Sequence, residues 1–158
     1  MKGKGVFFSA LLGAALGAAI QREKGRRQQA AWKENGDKYF YYFQLLNRWM
    51  IGRQEGKRAA DFLREEGMEK IAIYGMGDLA NRLAEELQGS DVHVLYCIDR
   101  DVCCTNSRIA EVYSPEDALP EVDGIVITPF RSLAGIKRLL QERCPYRLLS
   151  LEDIIYSL

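Results

Sequence analysis

Four residues in this chain are of the types and spacing needed to hold a phosphorylated nucleotide. Gly75, Gly77 and Ala80 fall in Lys70–Ala80, KIAIYGMGDLA. The apolar stretch Ile71–Tyr74 runs into Gly75-Met76-Gly77, and a helix begins at about residue 78. This is the strand–turn–helix setting that G-x-G-x-x-G/A requires. Gly75 permits the tight turn, Gly77 lets a pyrophosphate approach the backbone, and Ala80 lets the helix pack closely on the strand. The fourth residue, Asp99, lies 24 residues beyond Gly75 at the end of a second apolar stretch. A carboxylate at about that distance is where a ribose 2′-hydroxyl would be held, while the neighbouring Arg100 could meet a 2′-phosphate or an adenine face. Asp99 could equally cap a turn.

Two further positions bear on a ligand. Asp78 opens the helix whose N-terminus should receive a pyrophosphate. An acid there suits the helix dipole and can pair with Arg82 four residues on, but it also competes with an anionic ligand for the same N–H groups. Thr128, in Thr128-Pro129-Phe130, ends a strand where a ligand-facing loop should lie. The cofactor-facing set is therefore Gly75, Met76, Gly77, Asp78, Asp99, Arg100 and Thr128. NAD(P) or a nucleotide sugar fits it, and the sequence does not choose between them. A chemistry-bearing set is missing. There is no Tyr-x-x-x-Lys pair, and the single histidine, His93, falls inside a strand pattern. No catalytic residue is assigned.

The elements that must position these groups alternate regularly. Strands are predicted at 71–74, 92–98, 109–112, 124–128 and 146–151, with helices at about 78–88, 133–143 and 152–158. A brief helix is predicted to start at Ser114-Pro115. Strands alternating with helices imply a parallel sheet covered on both faces. The fold class is α/β, a Rossmann-like five-stranded sheet in the order 3-2-1-4-5, preceded by an N-terminal apolar helix and an aromatic helical pair. Three domains follow: an apolar anchor and basic linker over 1–36, the aromatic pair over 37–67, and the nucleotide-binding-type domain over 68–158.

The first region carries an uninterrupted apolar run of 15 residues, Val6–Ile20, flanked by Lys2, Lys4 and a basic cluster from Arg22 to Arg27. As a helix it covers only about 22 Å, short of the roughly 20 residues of a comfortable span. Bilayer thinning and snorkelling of basic flanks make up part of the deficit. A membrane anchor is the favoured reading, ahead of a signal peptide or a helix buried against a partner. It places a cytoplasmic domain at the inner face of the plasma membrane. Ser9, Gly13 and Gly17 recur every four residues, the small-xxx-small pattern of close helix pairs.

Asn35-Gly36 is expected to end this region, with Asp37 as N-cap of the next helix. There Tyr39, Tyr42, Phe43, Leu46, Trp49 and Met50 recur at spacings of three and four, and Phe40, Tyr41 and Leu45 widen the face. A second helix over 57–66 turns Ala59, Phe62 and Leu63 inward and is capped by Gly67. So aromatic a pair packs on its own domain or self-associates.

Bulk composition excludes some classes. The chain has 158 residues, and its 22 basic and 22 acidic side chains cancel, which argues against a nucleic-acid partner. Cys97, Cys103, Cys104 and Cys144 form no C-x-x-C pair and supply no zinc-site spacing, so reduced thiols of a cytosolic domain are expected.

The order of KIAIYGMGDLANRLAEEL, VLYCIDRD and VYSPEDALPEVDGIVIT resembles the small Rossmann-type modules of bacterial polysaccharide-biosynthesis proteins. Such modules accompany glycosyltransferases or precede the catalytic part of nucleoside-diphosphate-sugar epimerases and dehydratases. The likeness runs from Trp49 to Leu158, including Gln54-Glu55-Gly56-Lys57 and Ser150-Leu151-Glu152-Asp153-Ile154-Ile155. It implies nucleotide binding, or a regulatory or scaffolding part beside a glycosyltransferase. The family's glycine loop matches Gly75 and Gly77, and its acid after the second strand matches Asp99. The chain departs from the enzymes in leaving no room for a catalytic domain.

Overall fold

The computed structural model describes the backbone of residues 4–102 and 109–158, and side chains throughout these except at 4–20, 31 and 34. The chain divides into two compact units after Gln44.

The second unit, Leu45–Leu158, is an α/β sandwich around a five-stranded sheet. The strands are β1 (Lys70–Tyr74), β2 (His93–Ile98), β3 (Val112–Tyr113), β4 (Gly124–Ile127) and β5 (Arg147–Ser150). All pairings are parallel, in the order β3-β2-β1-β4-β5, as the sequence predicts. The strands are short, and the central β1 and β4 are buried on both faces, which is how parallel strands read. β1 in the middle runs Ile71, Ala72, Ile73 and Tyr74, all buried. Leu95 of β2 has no partner on β1, because the register moves from Ile71↔Val94 to Ala72↔Tyr96.

Ala72, Tyr74, Tyr96, Ile98, Ile125 and Ile127 share one sheet face and pack on Ile136 and Leu140 of α4 (Leu133–Gln141). α2 (Ala59–Glu65), α3 (Asp78–Leu87) and α5 (Leu151–Ser157) form the other layer, where α2 meets both α3 and α5. α3 turns Leu79, Ala80, Leu83, Ala84 and Leu87 inward, the i, i+4 stripe of a surface helix. Ala80 is completely buried, as close packing on the strand demands. α2 ends as expected at Gly67, whose φ of 74° lets Met68 N–H reach Leu63 O at 2.9 Å.

The structure corrects three expectations. First, α1 is one helix, Lys4–Gln54, with no boundary at Asn35-Gly36 and no N-cap at Asp37. A lone helical glycine costs only about 1 kcal/mol, and no proline interrupts this run. Second, the aromatic stripe of α1 divides. Within the second unit Leu45 and Trp49 are buried, whereas Leu46 and Met50 are exposed. Third, Ser114-Pro115-Glu116-Asp117 is a single turn closed by Asp117 N–H on Ser114 O, not a helix. The Asp117 carboxylate turns back to accept Ser114 N–H at 2.7 Å, which competes with helix propagation.

Among the described residues no helix is long and apolar enough to cross a membrane. The expected anchor at 6–20, and the Ser9, Gly13 and Gly17 face within it, fall where side chains lie outside the described set. Cys103 and Cys104 also lie outside the described residues.

Candidate functional site

The C-terminal ends of β1, β2 and β4 converge at the glycine loop, the crevice where open α/β sheets take ligands. Gly75 leaves β1 with φ of 89° and donates its N–H to Ile98 O at 2.8 Å. A Cβ at this position would lie 2.6 Å from Pro129 Cγ and 2.9 Å from Thr128 Oγ1. Only glycine satisfies both demands. Gly77 is different. Its φ of −84° suits any residue, and nothing lies within 4 Å of the place a Cβ would occupy. The space above Gly77 is open.

Gly77 is also the N-cap of α3, and it has no side chain with which to cap it. Its carbonyl accepts from Ala80 N–H at 3.0 Å and Asn81 N–H at 3.2 Å. The two remaining N–H groups of the first turn, those of Asp78 and Leu79, have no acceptor within the helix. They lie at the positive end of the helix dipole.

Asp99 follows β2 directly, and its own N–H bonds to Tyr113 O at 3.0 Å. Its Oδ2 accepts Met76 N–H at 2.8 Å, and its Oδ1 accepts Asp101 N–H at 3.1 Å. The two motif halves read from the sequence are thus joined by a hydrogen bond. Asp99 is half-buried and Arg100 exposed. Arg100 lies close enough to Glu116 to help hold that carboxyl below its usual range, although the main cause is the Ser114 hydroxyl bonded to it.

Thr128 is placed differently from a ligand-facing residue. It is buried, and its Oγ1 lies 3.1 Å from both Tyr74 O and Gly75 O, to which it donates. It braces the glycine turn from beneath. Asp78 is exposed at the mouth, and Arg82 pairs with Glu85 at 2.7 Å rather than with Asp78. The structure therefore puts Gly75, Met76, Gly77 and Asp78 on one turn, ties that turn to Asp99 through Met76, and braces it with Thr128.

Two features near the site escaped the sequence. Tyr74, the residue before the loop, is 4% exposed, and its hydroxyl has no hydrogen-bond partner among the described residues. No pattern in one sequence marks such an atom. Glu86, on the last turns of α3, accepts the Trp49 indole N–H and the Ala59 N–H, the latter at 2.8 Å. Arg53 lies 3.7 Å away. One carboxylate, its side chain 6% exposed, thus ties α1 and α2 to the helix that begins at the glycine loop. A surface groove of about 710 Å³ lies elsewhere, between α3 and the outer edge of β2 around Arg82, Gln88 and His93. Among the described residues no cluster of His, Cys, Asp and Glu could hold a metal ion.

Comparison of the chain with family models, curated proteins and solved structures finds no match.

Proposed function

We propose that this chain is a non-catalytic, membrane-associated module that takes a nucleotide or nucleotide sugar at the Gly75–Asp78 loop. On the resemblance described above, it works beside a glycosyltransferase or related enzyme of cell-surface polysaccharide synthesis. One observation carries the ligand reading: the uncapped start of α3 opens into free space above Gly77, 2.8 Å-bonded through Met76 to the carboxylate of Asp99. Backbone donors at a helix N-terminus suit a phosphate, and the carboxylate beside them suits a ribose hydroxyl. Asp78 at the mouth opposes a highly charged ligand and favours one whose negative charge is partly masked, as in a diphosphate esterified at both ends.

A second reading has its own support. Asp99 spends an oxygen on each of Met76 and Asp101, so the carboxylate is already engaged within the chain without any ligand. On that reading the site is a vestige and the module purely structural.

Thermal stability of the chain titrated with NAD, NADP, CoA and UDP-sugars separates the two. A ligand at 100 times its dissociation constant adds about 2.7 kcal/mol. Gly77→Val is the informative control, because a Cβ there meets no atom and the backbone conformation suits any residue. A shift with one ligand that Gly77→Val abolishes supports the nucleotide site. No shift with any of them supports the structural reading.

A further inference from the structure

Helix α1 carries a second surface in its first unit, remote in kind from the nucleotide chemistry. Gly25, Gln29, Trp32, Gly36, Tyr39 and Phe43 recur at alternating spacings of four and three. On a helix of 3.6 residues per turn these positions form one narrow stripe, the a/d seam of a coiled coil. None of the six is charged. Arg26, Arg27, Lys33, Asp37 and Lys38 all fall off the stripe. Charge has been cleared from this face over five turns while remaining dense on the others.

The seam is uncharged, and its rings are open. Trp32, Tyr39, Phe43 and the flanking Phe40 are 62–73% exposed. Trp32 and Tyr39 bracket Gly36, where nothing lies within 4 Å of the place a Cβ would occupy. The result is a bulky–small–bulky profile, in which a ring from a facing helix can close onto the backbone at Gly36.

We propose that this seam pairs with the same seam of a second copy of the chain, forming a two-helix interface over Gly25–Phe43. The area is the first reason. An aromatic side chain carries roughly 150–250 Å². Four of them, each about two-thirds exposed in two copies, amount to roughly 1,000 Å² in total, the size at which specific interfaces begin. Self-complementarity is the second reason. The stripe offers both the large rings and the recess that receives them, so an identical helix meets every requirement. A charge-free seam also needs no counter-charge from a different partner. α2, by contrast, spends Ala59, Ala60 and Leu63 on its own unit and adds nothing to this surface.

The test is sedimentation velocity of the full chain, across low to high micromolar concentration, in buffer and again with lipid vesicles of neutral composition. The unsubstituted chain should sediment as a dimer. Phe43→Glu should shift it to monomer, and Phe43→Leu should retain the dimer. The melting temperature of the sheet unit should stay unchanged in both. A chain that is monomeric at every concentration overturns the proposal. So does a dimer that survives Phe43→Glu, because the interface then lies elsewhere. A monomer that floats with vesicles through Phe43 also overturns it, and makes lipid the occupant.

Discussion

Asp99 and Met76, 23 residues apart, are joined by a hydrogen bond of 2.8 Å from the loop N–H to the carboxylate. The bond fixes the distance between the end of β2 and the glycine loop without help from a ligand. A hydrogen bond to a charged acceptor contributes about 1.5–3 kcal/mol when buried. This acceptor is half-buried, so Asp99→Ala should cost about 1 kcal/mol in urea unfolding. Asp99→Asn keeps an acceptor oxygen and should cost less. The two should separate more sharply in ligand binding, since only a carboxylate suits a pair of ribose hydroxyls.

Gly75 and Gly77 look equivalent in sequence and are opposites in structure. Gly75→Ala places a Cβ 2.6 Å from Pro129 at φ of 89°. We expect a loss of at least about 2 kcal/mol, from strain and displacement together. Gly77→Ala meets no atom, and its cost should stay within about 1 kcal/mol, the difference between glycine and alanine at an N-cap. Paired denaturation curves decide it. Equal midpoints for the two variants would refute this account of the loop.

How much was legible follows from how local each feature is. The Gly75–Ala80 loop could be read because its three small residues act within six positions. The sheet order could be read because right-handed crossovers leave few ways to lay parallel strands. β3 begins later than the 109–112 that the sequence suggests, at Val112–Tyr113, since a two-residue edge strand has almost no pattern of its own. Glu86 was illegible for a different reason. A glutamate on a helix ordinarily reads as solvated surface, and its partners Trp49 and Ala59 lie 37 and 27 residues away. Thr128 looked ligand-facing because it ends a strand. Only the close approach of Gly75 shows that its hydroxyl turns inward.

Glu86 should behave as a structural hub. Glu86→Ala strands the Trp49 indole N–H and the first N–H of α2 in a site with little water. An unmade buried hydrogen bond costs about 1–3 kcal/mol, so the variant should lose about 2–4 kcal/mol, beyond the reach of a surface glutamate. Arg53→Ala should lose far less, because that side chain is 42% exposed and its pairing is screened. Trp49 reports directly, and its emission should shift in Glu86→Ala and stay in place in Arg53→Ala.

Tyr74 makes the opposite prediction. Its hydroxyl is buried without a partner among the described residues, and such a group carries a desolvation cost of about 1–3 kcal/mol. Tyr74→Phe keeps the ring that packs with Ile98 and Ile127 on the α4 face and removes the oxygen. The variant should be as stable as the parent or up to about 1 kcal/mol more so. A clear drop in melting temperature would mean that the hydroxyl makes an interaction in solution.

Tyr96 sets an alkaline limit. It is 2% exposed, and its hydroxyl donates to Pro120 O at 2.8 Å. Burial raises its ionisation far above the ordinary phenol value, and the nearby Tyr146, Cys144 and Tyr113 push in the same direction. The folded state thus holds a proton that the unfolded chain releases near pH 10. Below that pH both states are protonated, and the contribution of Tyr96 to stability is fully present. As pH climbs beyond about 10 the unfolded state alone ionises, it binds fewer protons, and stability falls. Melting temperatures between neutral and strongly alkaline pH should therefore decline more steeply in the parent than in Tyr96→Phe. At neutral pH that variant should be less stable by about 1 kcal/mol, having lost its bond to Pro120. Parallel alkaline slopes for the two proteins would assign the decline to other groups.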